Sequence, residues 1–123
     1  MNILVVEDEQ SIANNIITIL QLYNHQCVHM PNGQDAVNYL LETQNLPNII
    51  FSDVMMPLLD GFELLDFVKK NEATHSIPFC LLSARADVID IDFGLGKGAD
   101  AYLTKPFTAK DLLLTLDKCI NKI

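Results

Sequence analysis

A chain of 123 residues is the size of one domain, and with 50% hydrophobic residues it can bury a single core of its own. The net charge of −8 is unevenly spread: the first 68 residues hold nine acidic side chains and no Lys or Arg, the rest seven acidic and eight basic. The clustered basic footprint that a phosphate backbone demands is missing, which argues against direct nucleic-acid binding. No apolar run approaches the ~20 residues that span a bilayer. The opening Met1-Asn2-Ile3-Leu4 also lacks the basic start of a signal peptide, so a cytoplasmic protein without membrane insertion is expected.

Ile3 to Val6 is a short apolar run ending abruptly in Glu7-Asp8-Glu9, and it reads as strand one. A helical pattern follows, with Ile12, Ala13, Ile16, Ile19, Leu20 and Tyr23 on one face. Cys27-Val28-His29 is a weak second strand, after which Asn32-Gly33-Gln34-Asp35 caps a helix carrying Ala36, Val37, Leu40 and Leu41 toward the core. Leu46-Pro47-Asn48 leads into Ile49-Ile50-Phe51-Ser52-Asp53, a run apolar enough to be a strand buried on both faces, with Asp53 as its first ionisable residue. Pro57 stops any regular continuation, and Asp60-Gly61-Phe62-Glu63 supplies an N-cap with an acid three positions on. Phe62, Leu65 and Val68 mark helix three, and Pro78 introduces Phe79 to Ser83 as strand four.

Between Asp87 and Lys97 local rules conflict. Ile89, Ile91, Phe93 and Leu95 alternate with Asp90, Asp92, Gly94 and Gly96 at a strand-like period of two. A parallel sheet nevertheless needs a crossover here, and Lys97-Gly98 resembles a helix C-terminus with its glycine cap, so a weak helix four is expected. Its two interior glycines each cost up to ~1 kcal/mol relative to alanine, which makes it the least stable helix expected. Ala101-Tyr102-Leu103-Thr104 is strand five, and Thr108-Ala109-Lys110-Asp111 caps a last helix with Leu112, Leu113, Leu116 and Ile120 inward. The whole is an α/β chain: one domain over residues 1–123, built as a (βα)5 doubly wound, five-stranded parallel sheet. Cys27, Cys80 and Cys119, odd in number and far apart, read as free thiols. His25, His29 and His75 show no ligand spacing and read as surface or packing residues.

In such sheets ligands bind outside the carboxyl ends of the strands. That edge collects Glu7 and Asp8 from strand one, Asp53 from three, Ser83 from four and Lys105 from five. Carboxylates ~5 Å apart repel by roughly 3 kcal/mol per pair at an effective dielectric near 20, which favours a bound dication or protonation. Without His or thiolate nearby, the donor set suits Mg2+, which commonly shares its shell with a phosphate. Lys105 adds a point charge and Ser83 a hydrogen-bond donor. Together they describe a phosphoryl site beside a metal, with Asp53 as candidate nucleophile.

The pattern Val5-Val6-Glu7-Asp8, Asp53-x-x-Met56-Pro57-x-x-Asp60-Gly61, Leu82-Ser83-Ala84, Gly98-Ala99-Asp100-Ala101-Tyr102 and Lys105-Pro106-Phe107 resembles the response-regulator receiver domains of two-component signalling. The resemblance runs from Ile3 to about Ile120 and implies the flavodoxin-like receiver fold. It further implies that Asp53 accepts a phosphoryl group from a sensor histidine kinase or a histidine phosphotransfer protein. Asp8, Asp53 and the Met55 carbonyl would bind Mg2+ with Glu7 assisting, while Ser83 and Lys105 contact the phosphoryl oxygens. Tyr102 matches the family's switch aromatic, and Lys105-Pro106 its usual cis peptide. Output would pass through helix four, strand five and helix five to an effector domain or protein that the sequence does not name. Family dimers that pair an acid before the tyrosine with an arginine on helix five find Ala101 and Thr115 here instead. Positions two after the acceptor and two after the hydroxyl residue border the path of attacking water. Here they are Met55 and Arg85, neither of which can act as a base, so a long-lived phosphoryl group is expected.

Two other classes compete. A nucleotide or flavin module would need a Gly-rich or Ser/Thr-rich loop after strand one, where Glu7-Asp8-Glu9 would instead repel phosphate. A Mg-dependent aspartyl-phosphate phosphatase would carry a second acid two residues after the nucleophile, where Met55 stands.

Overall fold

The computed structural model describes residues 1–84 and 88–120, with side chains of residues 88–90 left aside. Five strands alternate with five helices: β1 (Asn2–Val6), α1 (Gln10–Leu22), β2 (Gln26–Met30), α2 (Gly33–Glu42), β3 (Ile49–Asp53), α3 (Gly61–Lys70), β4 (Phe79–Ser83), α4 (Val88–Gly96), β5 (Ala101–Thr104) and α5 (Ala109–Ile120). The strands form one parallel sheet in the order β2-β1-β3-β4-β5. From β1 the chain moves outward to β2, then crosses back to build β3, β4 and β5 on the other side. The carboxyl ends of β1 and β3 therefore flank the crevice of an open α/β sheet.

Alternation along the strands sorts the core into two layers. Leu4, Val6, Ile50, Phe79 and Leu81 face α2 and α3, while Ile3, Val5, Ile49, Phe51, Cys80 and Leu82 face α1 and α5. Both faces being covered, β3 and β4 are buried at every position, the reason these strands read as unbroken apolar runs.

The helix ends follow their local chemistry. Asn32 accepts a hydrogen bond from Asp35 N at 2.8 Å, and Asp60 and Glu63 form a complete capping box. Thr108 and Asp111 bond reciprocally at 3.0 and 3.1 Å. The 88–96 segment is helical despite its period-two pattern, because the β4-to-β5 crossover overrides local alternation. It closes as anticipated: Gly98 has φ +106°, with Ala99 N donating to Gly94 O and Gly98 N to Leu95 O, the paired bonds of a glycine-terminated helix.

Three side chains assigned to the core lie outside it: Tyr23, Leu41 and Leu113, the last half-buried beside the fully buried Leu112 and in neither core layer. Tyr23 is exposed because α1 ends at Leu22 and Tyr23 is its C-cap, and Leu41 sits on the solvent side of α2, where Leu40 takes the buried position. Cys119 replaces Ile120 as the last fully packed residue of α5. No helix among the described residues is long and apolar enough to cross a membrane.

Candidate functional site

Four strand ends converge on one cavity of about 320 Å3, bordered by Asp8, Glu9, Ile12, Asp53, Met55, Ser83, Ala84 and Lys105. Main-chain bonds extending the sheet ladders aim these residues. Glu7 N donates to Met30 O, Val54 N to Leu82 O and Lys105 N to Ser83 O, so each strand-to-loop junction is held by its neighbour before the chain turns away. Gly61 N donates to Val54 O at 2.9 Å. A Cβ on Gly61 would lie 2.3 Å from Asp53 O, so only glycine lets α3 begin this close to the β3 end. Between them, Leu58 adopts φ +70° while Leu59 N bonds Pro57 O at 2.8 Å, a γ-turn that folds the loop sharply back.

Glu7 is fully buried, Asp53 nearly so, and Asp8 is exposed at the mouth. Each offers a carboxylate oxygen, and the three lie within 4.8 Å of one another. Lys105 reaches in from beyond β5, with Nζ 2.7 Å from Glu7 Oε1 and 3.3 Å from Asp53 Oδ2. Glu9 N donates to Glu7 Oε2 at 3.3 Å, so both oxygens of the buried acid are engaged. Burial pushes the Lys105 ammonium down, but the Glu7 and Asp53 carboxylates outweigh it and its pKa rises above 10.5. The Asp8 carboxyl is raised above 3.8, first by desolvation, then by its hydrogen bond with Glu7 and by Glu7's charge. With three acids and one ammonium, the fully ionised cluster carries two net negative charges (3 − 1 = 2), and its donors are all oxygen. That set fits a hard dication.

Ser83 is buried at the end of β4 and borders the cavity, while the exposed Met55 side chain stands at its rim. Tyr102 is half-buried away from the cavity, packed on the α2–α3 side of the sheet against α4. The Lys105-Pro106 peptide is cis. Arg85 lies outside the described residues. Sequence reasoning overlooked two contributors. Ile12 borders the cavity from α1, its helical periodicity having marked it as core alone. His29 donates from Nε2 to the Glu7 carbonyl at 2.8 Å, a contact for which residue spacing holds no signal.

Fold and site together define a doubly wound α/β domain with a buried, lysine-linked acid cluster at its strand ends. Comparison with known proteins agrees. The description "Response regulator receiver domain" matches residues 3–117. Protein PilG of Pseudomonas aeruginosa is 35% identical over 113 residues, covering 92% of this chain and 82% of that protein. The phosphate regulon transcriptional regulatory protein PhoB of Escherichia coli is 36% identical, covering 98% of this chain but only 52% of that longer protein. The crystal structure of the signal receiver domain of a Syntrophus aciditrophicus signal transduction histidine kinase superposes with TM-score 0.89 at 34% identity, covering 99% of this chain and 91% of that one. The chain belongs to the response regulator receiver domain family, signalling domains of two-component systems whose general function is to accept a phosphoryl group from a histidine kinase.

Proposed function

We propose that Asp53 is the phosphoacceptor and that Asp8, Asp53 and the Met55 carbonyl hold Mg2+ beside it, with Glu7 assisting. The observation that carries this reading is that, of the three clustered acids, Asp53 is the one that both borders the cavity and pairs with Lys105. Glu7 is sealed beneath, its oxygens taken by Lys105 and Glu9 N, and Asp8 is exposed at the mouth.

Asp53 Oδ attacks phosphorus, the bond from phosphorus to the donor imidazole nitrogen breaks with its electron pair going to nitrogen, and an acyl phosphate forms. Bound Mg2+ would supply Lewis-acid stabilisation of the phosphoryl oxygens and neutralise the acid cluster. Lys105 offers its ammonium to a phosphoryl oxygen once the new charge competes with Asp53, and Ser83 contacts another from the β4 end. As Ser83 is drawn toward the phosphoryl group, Tyr102 and the surface of α4, β5 and α5 change population and carry the output. Met55, two residues after Asp53, supplies no general acid or base, which favours a stored phosphoryl group over phosphatase turnover.

The donor is a sensor histidine kinase or a histidine phosphotransfer protein, and the receiver is an effector domain or protein. The chain spans about half the length of PhoB, and that relative's effector is not carried over to it. We read the domain as cytoplasmic, supported by Cys27, Cys80 and Cys119 forming no disulfide. The test is incubation with acetyl phosphate and Mg2+. One labile phosphoryl group per chain is expected in the native protein and none in Asp53→Asn. Labelling of that variant at native rates removes the assignment, and many turnovers per chain would indicate a phosphatase.

A further inference from the structure

The β1–β2 register ends at Val6 and Met30, and Glu7 N still finds a backbone partner in Met30 O at 3.1 Å. The Glu7 carbonyl lies beyond that ladder, and its partner is a side chain: His29 Nε2 at 2.8 Å. His29 pairs with Val5, whose side chain belongs to the α1–α5 layer, so the imidazole lies on that face of the edge strand beneath the β1–α1 loop. A carbonyl only accepts, so Nε2 carries the hydrogen and donates, whatever the state of the other nitrogen.

The contact sits at a consequential peptide. The Glu7 carbonyl and the Asp8 N–H share one plane, so holding the carbonyl sets the direction in which Asp8 leaves the strand. Glu7 itself is tied at its N–H by Met30 and at its side chain by Lys105 and Glu9 N. Asp8, exposed at the rim, has far less to fix it.

We propose that His29 is a positioning residue for the acid pair: by gripping the Glu7 carbonyl it holds the Asp8 carboxylate at the spacing that a dication shared with Asp53 requires. This rests on the Mg2+ reading of Glu7, Asp8 and Asp53. A ring that merely satisfied a half-buried carbonyl would cost stability when lost but leave metal affinity alone.

The test is calorimetric titration of Mg2+ into the native chain, His29→Leu and His29→Gln, with metal-free melting of each. Outer-shell groups that orient metal ligands change affinity by about 10–100-fold. His29→Leu is expected at the lower end, about tenfold weaker, with His29→Gln restoring most of the loss because its amide N–H replaces the donor. Native affinity in His29→Leu overturns the proposal, as does a His29→Gln variant as weak as Leu. Should His29→Leu fail to fold, His29→Phe keeps a ring without the donor and is read the same way. A native chain that binds no Mg2+ would overturn the metal reading itself, a result distinguishable from failure of the His29 role.

Discussion

α3 and α4 follow the two strands that carry Asp53 and Ser83 to the cavity, and they are held in different ways. α3 carries a capping box at its start, Lys69 and Lys70 in its last turn, and Leu64, Leu65 and Val68 buried beneath it. Its caps, dipole and packing agree. α4 has no basic residue in its last turn, exposes Phe93 and Leu95, and among its described side-chain positions buries only Gly94. A Cβ at Gly94 would lie 2.7 Å from a Leu81 methyl and 3.3 Å from the Tyr102 ring, so α4 rests on the sheet through a missing side chain. Among the described residues it is also held laterally: Phe93 stacks edge-on against Phe62 at 4.9 Å, and Lys97, just past its end, pairs with Asp66 at 3.1 Å. Among the described residues, the element beside the proposed acceptor is anchored by three buried apolar side chains, whereas the one beside the proposed switch has its single buried position at a glycine and is expected to yield more readily.

The largest expected effect strikes the anchored side. Gly61→Ala forces the start of α3 off Asp53 O and is expected to destabilise the fold by about 2 kcal/mol, in the range of overpacking, while slowing phosphorylation of Asp53. Denaturant unfolding and labelling kinetics measure both. A neutral Gly61→Ala would mean that the α3 start yields freely and that the contrast with α4 is false.

Next comes the rim of the cavity. Met55→Asn introduces a group able to orient attacking water and is expected to speed phosphate loss by ~10-fold, about 1.4 kcal/mol of barrier. Loss of label after removal of the donor reports it, and an unchanged or slower rate would discard Met55 as a lifetime determinant.

Asp8 gives a metal-dependent effect of opposite sign. Its pKa is raised in the folded chain, so the stability it contributes is full below the unfolded value of 3.8 and is lost as pH rises through the folded value. At pH 7 without metal, Asp8→Asn is therefore expected to melt slightly higher than the native chain, by an amount that solvent screening of the exposed carboxylate keeps small. Mg2+ is expected to raise the native melting temperature and barely that of the variant. A variant that melts lower without metal, or gains as much from Mg2+, contradicts the cluster.

The smallest effect separates the glycines of α4. Among the described residues nothing lies within 4 Å of a Cβ at Gly96, so Gly96→Ala is expected to stabilise by up to ~1 kcal/mol, whereas Gly94→Ala meets Leu81 and Tyr102 and forfeits that gain. Hydrogen exchange in both variants is the measurement: slower α4 exchange in Gly96→Ala alone is expected, and equal behaviour would refute glycine-seated docking.

The sequence by itself determined the order and type of the ten elements, because apolar runs of strand length, capping residues and crossover spacing are local signals that here agree. It also placed Glu7, Asp8, Asp53, Ser83 and Lys105 at one edge, since a parallel sheet brings every strand's carboxyl end to the same side. Only the tertiary structure decided that Lys105 pairs with Glu7 across 98 residues of chain and with Asp53 as well, that Glu7 is sealed while Asp53 opens to the cavity, and that His29 holds the carbonyl between the two acids that follow β1. Tyr23 and Leu41 turned outward for a related reason: where a helix stops and which neighbour fills the groove are settled by packing. Periodicity records which way a residue faces along its own element. Distances between groups far apart in the chain depend on how the layers seat against one another, and no local pattern carries that.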